Sequence, residues 1–265
     1  MHRAHFDVVA DVDQRHWWFL ARRRIVRDVL TSLLPPDANT IIIDVGCGAG
    51  ANIAALAGEY RCIGIDTASD AIDIARKRFP QVEFMCGRAP DDLGATAGDA
   101  SAMLLMDVLE HVENDRAAFE PLVKALRPGA FMLVTVPADM RLWSRHDEGL
   151  LHFRRYDEAM LRTLWRGLPV ETLAVTHFCS RLYPVARVGR TLGRWRDRML
   201  PASREWNMRV PPGPVNALME RAFEGESRMV CDLVRGRRHA GYSRGVSLLA
   251  VLRRTNDPRQ QLNGA

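Results

Sequence analysis

The chain has 265 residues, of which 47% are hydrophobic and 26% charged, with a formal net charge of +5. Such a length suits one large domain, or a domain with an insertion, and such a composition suits a packed core rather than a disordered chain. No run approaches the eighteen or so apolar residues of a membrane span, and the start at Met1–Asp7 lacks the apolar stretch of a secretory signal, so a cytoplasmic protein is expected. The five cysteines (Cys47, Cys62, Cys86, Cys179, Cys231) are dispersed and never spaced C-x-x-C, which argues against a disulfide framework or a structural zinc and for buried or semi-buried free thiols.

Residues 13–34 carry apolar and basic residues at helical spacing (Trp17, Leu20, Arg24, Val29, Leu33) and stop at Pro35-Pro36, where the proline ring blocks a further turn. Residues 1–36 thus read as an N-terminal helical cap. Thr40–Val45 is a short apolar, β-branched run ending in glycines, the pattern of a buried parallel strand, and 51–58 resumes as an Ala-rich helix. The rhythm repeats: a strand over 61–66, a helix over Ser69–Phe79 closed by Pro80, strands over 82–86 and 102–106, a helix over Asp115–Leu126, and a strand over 131–136. This alternation predicts an α/β fold with a mostly parallel sheet and helices on both faces.

Residues 138–156 lack periodicity and read as an irregular loop or lid. A helix is expected over Asp157–Arg166, a strand over Val170–Phe178 and a last strand over Gly245–Leu252. Between these two strands lies the Arg-rich segment 179–240, too long for a structureless connection, so a packed helical insertion is predicted inside a single domain spanning 1–265. Only Asn256–Ala265 looks disordered.

Asp44-Val45-Gly46-Cys47-Gly48-Ala49-Gly50 falls at the junction of the first strand and the next helix. Glycines there let the backbone turn tightly and approach a ligand, and the helix N-terminus presents free N–H groups. Gly46, Gly48 and Ala51 also satisfy the dinucleotide pattern G-x-G-x-x-A. Asp44 ahead of the glycines favours an ammonium-bearing ligand over a pyrophosphate, and Asp66, about twenty residues on, is placed to accept ribose hydroxyls.

A strand followed by acidic-x-Gly-x-Gly-x-Gly resembles the class I S-adenosylmethionine-dependent methyltransferases. Three further segments are similar to theirs: Gly87-Arg88-Ala89, which borders the adenine in that family; Met106-Asp107-Val108-Leu109-Glu110-His111-Val112; and Leu126-Arg127-Pro128-Gly129-Ala130, with Ala where the family usually has a second Gly. The resemblance implies a Rossmann-like seven-stranded sheet whose last strand is antiparallel and inserted between the fifth and sixth. It also implies S-adenosylmethionine as cofactor, with S-adenosylhomocysteine as product, held by Asp44, Gly46, Cys47, Gly48, Gly50, Asp66, Thr67, Arg88, Ala89, Met106 and Asp107. More narrowly, His16-Trp17-Trp18-Phe19 with Arg22-Arg23, Leu142–Asp147 and His152–Tyr156 resemble a bacterial small-molecule subgroup of unassigned substrate.

Methyl transfer is an in-line displacement that needs alignment, exclusion of water and, for many oxygen or carbon acceptors, a base. His111, beyond the fourth strand, and His146 and His152, in the segment after the fifth, are the candidate bases, the plainer reading of the last two being hydrogen bonds that tie this segment to Asp147 or Glu148; Tyr156 is a further candidate catalytic group. Trp18, His111 and Arg155 are expected to contact the acceptor, Arg155 through a carboxylate or phosphate. Trp17, Trp18 and Phe19 read either as a cover over the ligands or as core packing, and Arg22 and Arg23 as solvated surface in preference to contact with a carboxylate. If a helix began near Asp107, then Asp107, Glu110 and His111 would share one face. They are similar to the E-x-x-E-H metal set of ubiquinone-pathway O-methyltransferases, but helix capping is the plainer reading and no metal is assigned.

The reading is methyl transfer to a small-molecule acceptor, O-methylation favoured, on an anionic or lipid-linked substrate. Nucleic acid is not favoured: no Asn/Asp-Pro-Pro-Tyr follows the fourth strand and no RNA-binding module is appended. The arginines of the insertion (Arg181, Arg187, Arg190, Arg194, Arg196, Arg198) form a stripe beside Leu182, Val185, Val188 and Leu192, suited to an anionic small molecule, to peripheral contact with an anionic membrane, or to water alone. A non-catalytic nucleoside-binding protein and a nicotinamide-dependent oxidoreductase remain the alternatives on the same fold.

Overall fold

In the computed structural model, which describes residues 3–199 and 209–256, all seven expected strands are present. They are β1 (Asp37–Val45), β2 (Tyr60–Asp66), β3 (Glu83–Cys86), β4 (Ala102–Met106), β5 (Phe131–Pro137), β6 (Val170–Phe178) and β7 (Ser247–Arg254). Their order is β3-β2-β1-β4-β5-β7-β6, with β7 antiparallel to both neighbours, as the resemblance implied.

The helices are α1 (Arg3–Val12), α2 (Trp17–Leu33), α3 (Ala51–Ala54), α4 (Ser69–Arg78), α5 (Thr96–Asp99), α6 (Asp115–Ala125), α7 (Arg145–Gly149), α8 (Glu158–Thr163), α9 (Tyr183–Met199), α10 (Gly213–Glu224) and α11 (Ser227–Val234). No helix among the described residues is long and apolar enough to cross a membrane.

Successive strand residues point to opposite faces, so each central strand feeds two cores. Ile42, Leu104, Leu133, Leu249 and Val251 pack with Ile25, Val29 and Leu30 of α2 and with Phe223, Val230 and Leu233 of α10 and α11. Their neighbours Ile43, Met103, Leu105, Leu248 and Ala250 pack on the other face with Phe119, Leu122, Leu161 and Trp165. Every residue of β4 is buried, which explains why this strand reads as an unbroken apolar run.

Three local expectations are corrected. The helix expected from residue 13 begins only at Trp17, because His16 breaks the chain into α1 and α2: its backbone is extended and its Nδ1 accepts the Trp18 N–H at 3.2 Å. The helix expected over 51–58 is a single α-helical stretch, α3, followed by turns. The segment 138–156 is not irregular throughout. It holds a 3-10 turn at Met140–Leu142 and α7, started by a capping box in which Ser144 and Asp147 satisfy each other's backbone N–H groups.

Helices α9, α10 and α11 lie between β6 and β7. The side chains of Arg194, Arg196 and Arg198, and residues 257–265 of the tail expected to be disordered, fall outside the described residues. The cysteines are free, and Cys86 is exposed rather than buried because it ends the edge strand β3.

Candidate active site

Strand order reverses between β1 and β4, and the carboxyl ends of these strands open into a cavity of about 1040 Å³. In an open α/β sheet this is where ligands bind. The turn after β1 forms one wall. Gly46, Gly48 and Gly50 all have positive φ (73°, 53° and 83°), a conformation that side chains other than glycine's rarely adopt. A Cβ on Gly46 would meet Val108 Cγ2 at 2.7 Å, and one on Gly50 would meet Phe84 Cζ at 2.6 Å. A Cβ on Gly48 would meet nothing within 4 Å, so this residue offers bare backbone to open space.

Asp66 ends β2 and stiffens this turn. Its carboxylate accepts the Gly48 N–H at 2.8 Å and the Ala68 N–H at 2.9 Å, one on each oxygen. A carboxylate has about four lone-pair sites, so each oxygen retains acceptor capacity for a ligand hydroxyl. Thr67, Arg88, Ala89 and Met106 line the same region of the cavity.

A second wall comes from α2. Trp18 packs edge-on against Phe178 and Phe223, with ring centroids 6.3 and 5.8 Å away, and still faces the cavity, so the aromatic cluster is both core and cover. Arg22 is buried, contrary to the solvated surface expected. It pairs with Asp107, reaches Asn52 Oδ1 at 3.3 Å, and lies 5.0 Å from the Trp18 ring centroid. Arg23 is half-buried and donates to the Asp13 carbonyl at 2.8 Å.

Asp107 follows β4 with φ +59°. Its N–H donates to the Thr135 carbonyl and its Oδ1 accepts the Thr135 hydroxyl, both at 3.0 Å. Asp107 therefore does not share a helical face with Glu110 and His111. Its carboxylate turns to Arg22 and Thr135, and a 3-10 turn begins only at Leu109. Glu110 is fully buried, and burial, reinforced by the charge of Asp107, holds its carboxyl well above the ordinary range.

The third wall is organised by Asp147, which is fully buried. It accepts Arg155 Nε at 2.7 Å and the Ser144 N–H at 2.9 Å, contacts His152 Nδ1 at 3.2 Å, and lies 3.7 Å from Arg190 Nη1. These partners hold its carboxyl below the usual range despite burial. Arg155 also donates to the Ala138 carbonyl at 2.9 Å. His146 lies in the same wall, where burial first and Arg190 second push its imidazole down to about 3.

The structure thus brings Gly46, Cys47, Gly48, Gly50, Asp66, Thr67, Arg88, Ala89, Met106, Asp107, Trp18, His111, His146, His152 and Arg155 around one cavity. Two expected residues are not on its surface. Asp44 lies beneath the turn, fully buried, with no hydrogen-bond partner for either oxygen among the described residues, and burial pushes its carboxyl up to about 7. Tyr156 is fully buried and gives its hydroxyl to Asp115 Oδ2 at 2.8 Å, so it fastens the segment after α7 to α6 instead of facing a ligand.

Sequence reasoning misread one group of this site and passed over another. Arg22 sits in the buried stripe Arg22, Ile25, Val26 and Val29 of α2, and an arginine in an apolar stripe was the available signal of a buried partner. The clamp by which Arg78 binds Asp13 at 2.6 Å and the Ala49 carbonyl at 3.0 Å, pinning α1 to the glycine turn, left no local signal.

This sheet order, with its glycine turn and acid-tipped β2, defines a Rossmann-like fold. Residues 42–129 match the model of a family described as a methyltransferase domain. The chain is 31% identical over 131 residues to a trans-aconitate 2-methyltransferase of Azoarcus sp., covering 47% of this chain and 50% of that one. It is 27% identical over 172 residues to a trans-aconitate 2-methyltransferase of Paracidovorax citrulli, covering 60% and 62%. It therefore spans about half to three-fifths of the length of these relatives. The solved plantazolicin methyltransferase BamL, in complex with a triazolic desmethylPZN analog and SAH, shares the fold, with TM-score 0.55 and 16% identity over 89% of this chain and 86% of that one. The methyltransferase-domain match and these relatives support a class I S-adenosylmethionine-dependent methyltransferase.

Proposed function

We propose that the protein transfers the methyl group of S-adenosylmethionine to a carboxylate oxygen of a small anionic acceptor. One observation carries this reading. A single cavity joins the glycine turn and Asp66 to a wall where two guanidinium groups, Arg155 and Arg190, surround one carboxylate, Asp147. A guanidinium fork suits a carboxylate, and these two border the same cavity as the glycine turn.

On the cofactor side, the bare backbone at Gly48 gives room for the amino-acid end of the ligand, and the acceptor capacity left on Asp66 suits the ribose hydroxyls. When bound, S-adenosylmethionine supplies an electrophilic methyl on a positively charged sulfur. The chain's own work is to align and to exclude water: α2 covers the cavity with Trp17, Trp18 and Phe19, and α9 borders it with Val185 and Arg190, beside Leu182 just ahead of that helix.

A carboxylate acceptor is ionised at neutral pH and needs no base. This agrees with a His146 whose imidazole is held neutral and weakly basic, and with a His152 engaged by Asp147. The two relatives named for trans-aconitate make that compound a natural member of the test set. Transfer of labelled methyl from S-adenosylmethionine is measured on a panel of di- and tricarboxylic acids and of phenols. Turnover is expected with acids, and His146→Gln should keep most of it. Turnover of phenols with none of the acids would overturn the reading.

A further inference from the structure

Glu110, His111 and His152 meet at the floor of the cavity, and the proposed methyl transfer uses none of them directly. Each offers one ligand atom, and these atoms lie within 4.8 Å of one another. Two elements supply them. Glu110 and His111 stand in the 3-10 turn after β4, and His152 in the segment after α7. The Phe153 N–H donates to the Glu110 carbonyl at 2.8 Å, which keeps the two elements in register.

Two features separate this cluster from a chance meeting of polar residues. The Glu110 side chain is fully buried, and both its oxygens lack a hydrogen-bond partner among the described residues. Buried polar atoms are nearly always paired, so an orphaned carboxylate implies a missing partner. His152, in turn, meets the buried Asp147 through Nδ1 at 3.2 Å, with Arg155 holding that carboxylate in place. A carboxylate on one ring nitrogen orients an imidazole and leaves the other nitrogen with its lone pair, as in most metal-bound histidines. The His111 ring stands edge-on to His152, 4.7 Å between centroids.

We propose that Glu110, His111 and His152 form a binding site for a divalent transition cation of the Zn²⁺ or Mn²⁺ kind. Two imidazoles and one carboxylate suit such ions, whereas Mg²⁺ and Ca²⁺ prefer oxygen donors. The set differs from the one that sequence spacing brings together, because Asp107 is taken by Arg22 and Thr135 and His152 stands in its stead. Ligand atoms around a tetrahedral zinc lie about 3.3 Å apart, so binding draws the 3-10 turn and the segment after α7 together. Three protein ligands leave open positions, and all three line the cavity, so an acceptor oxygen can complete the coordination. That last role rests on the proposed methyl transfer; the binding itself does not.

The test uses the full chain without an affinity tag, stripped with a chelator and titrated with Co²⁺ followed by visible absorption, with Zn²⁺ as competitor. One cobalt per chain is expected, displaced by zinc, with affinity falling at least roughly tenfold in Glu110→Gln and again in His152→Gln. Calorimetry with S-adenosylhomocysteine checks that each variant is folded, and His111→Gln replaces either variant that is not. No cobalt uptake by the wild type, or uptake unchanged in the variants, would overturn the site. Cobalt uptake without any binding of S-adenosylhomocysteine would keep the cation site and overturn the methyl-transfer reading instead.

Discussion

The two walls of the cavity are held by different means. Around the glycine turn, order comes from the backbone: three positive-φ glycines, two N–H groups on Asp66 and one strand end following another. Around Asp147, order comes from side chains brought from α7, the segment after it and α9 to a single buried carboxylate. A backbone turn tolerates many changes of side chain but has no room for a Cβ at Gly46 or Gly50. A charged hub tolerates changes around it but not loss of its one acid, since the guanidiniums would stay buried without a counter-charge.

Asp147→Ala should break this contrast most severely. Arg155 would lose its buried partner, and urea unfolding should show a loss of about 3–5 kcal/mol. A loss below about 1 kcal/mol would show that the hub is not what holds this wall. Gly50→Ala tests the other wall: a Cβ at φ +83° would also meet Phe84 at 2.6 Å, and about 2–3 kcal/mol of stability should go with it. On the proposed function, Asp66→Ala should act on binding more than on folding, weakening S-adenosylhomocysteine by about 1–3 kcal/mol in calorimetry, because the Gly48 and Ala68 N–H groups and the proposed ribose contact lose their acceptor.

The smallest effect concerns pH. Asp44 is protonated in the folded chain up to about pH 7, whereas a carboxyl in the unfolded chain ionises near pH 4. Its burial penalty is therefore full above pH 7 and is relieved as pH falls towards 4. In the ligand-free protein the stability of the wild type relative to Asp44→Asn should rise by about 1–2 kcal/mol from pH 8 to pH 6. A difference independent of pH would mean that Asp44 ionises normally where it lies.

This contrast also decides what the sequence reveals. The sheet was legible because its strands are short, mainly apolar runs set between helical and turn patterns, and β4 and β6 appear at their expected bounds. The glycine turn was legible because its conformation admits few other residues. The hub at Asp147 was half visible: His152, Arg155 and Asp147 stand close in the chain, but Arg190 joins from α9. Arg22 was misread because an arginine on a helix reads as surface unless its partner, 85 residues away at Asp107, is known. Tyr156 was misplaced because loop position alone does not tell which way a ring turns, and this one turns to Asp115.

The insertion of β7 between β5 and β6 carries a consequence for how the molecule is made. Strand β5 emerges from the ribosome more than a hundred residues before its partner, Ser247–Arg254. The cover is delayed as well, since α2 is tied to α10 by the Trp17 N–H on Asn216 and by Arg24 on Glu220. Until β7 is made, the nascent chain shows an apolar, unpaired strand edge, the surface to which another chain adds most readily. The chain is therefore most exposed to such pairing before Ser247–Arg254 emerges.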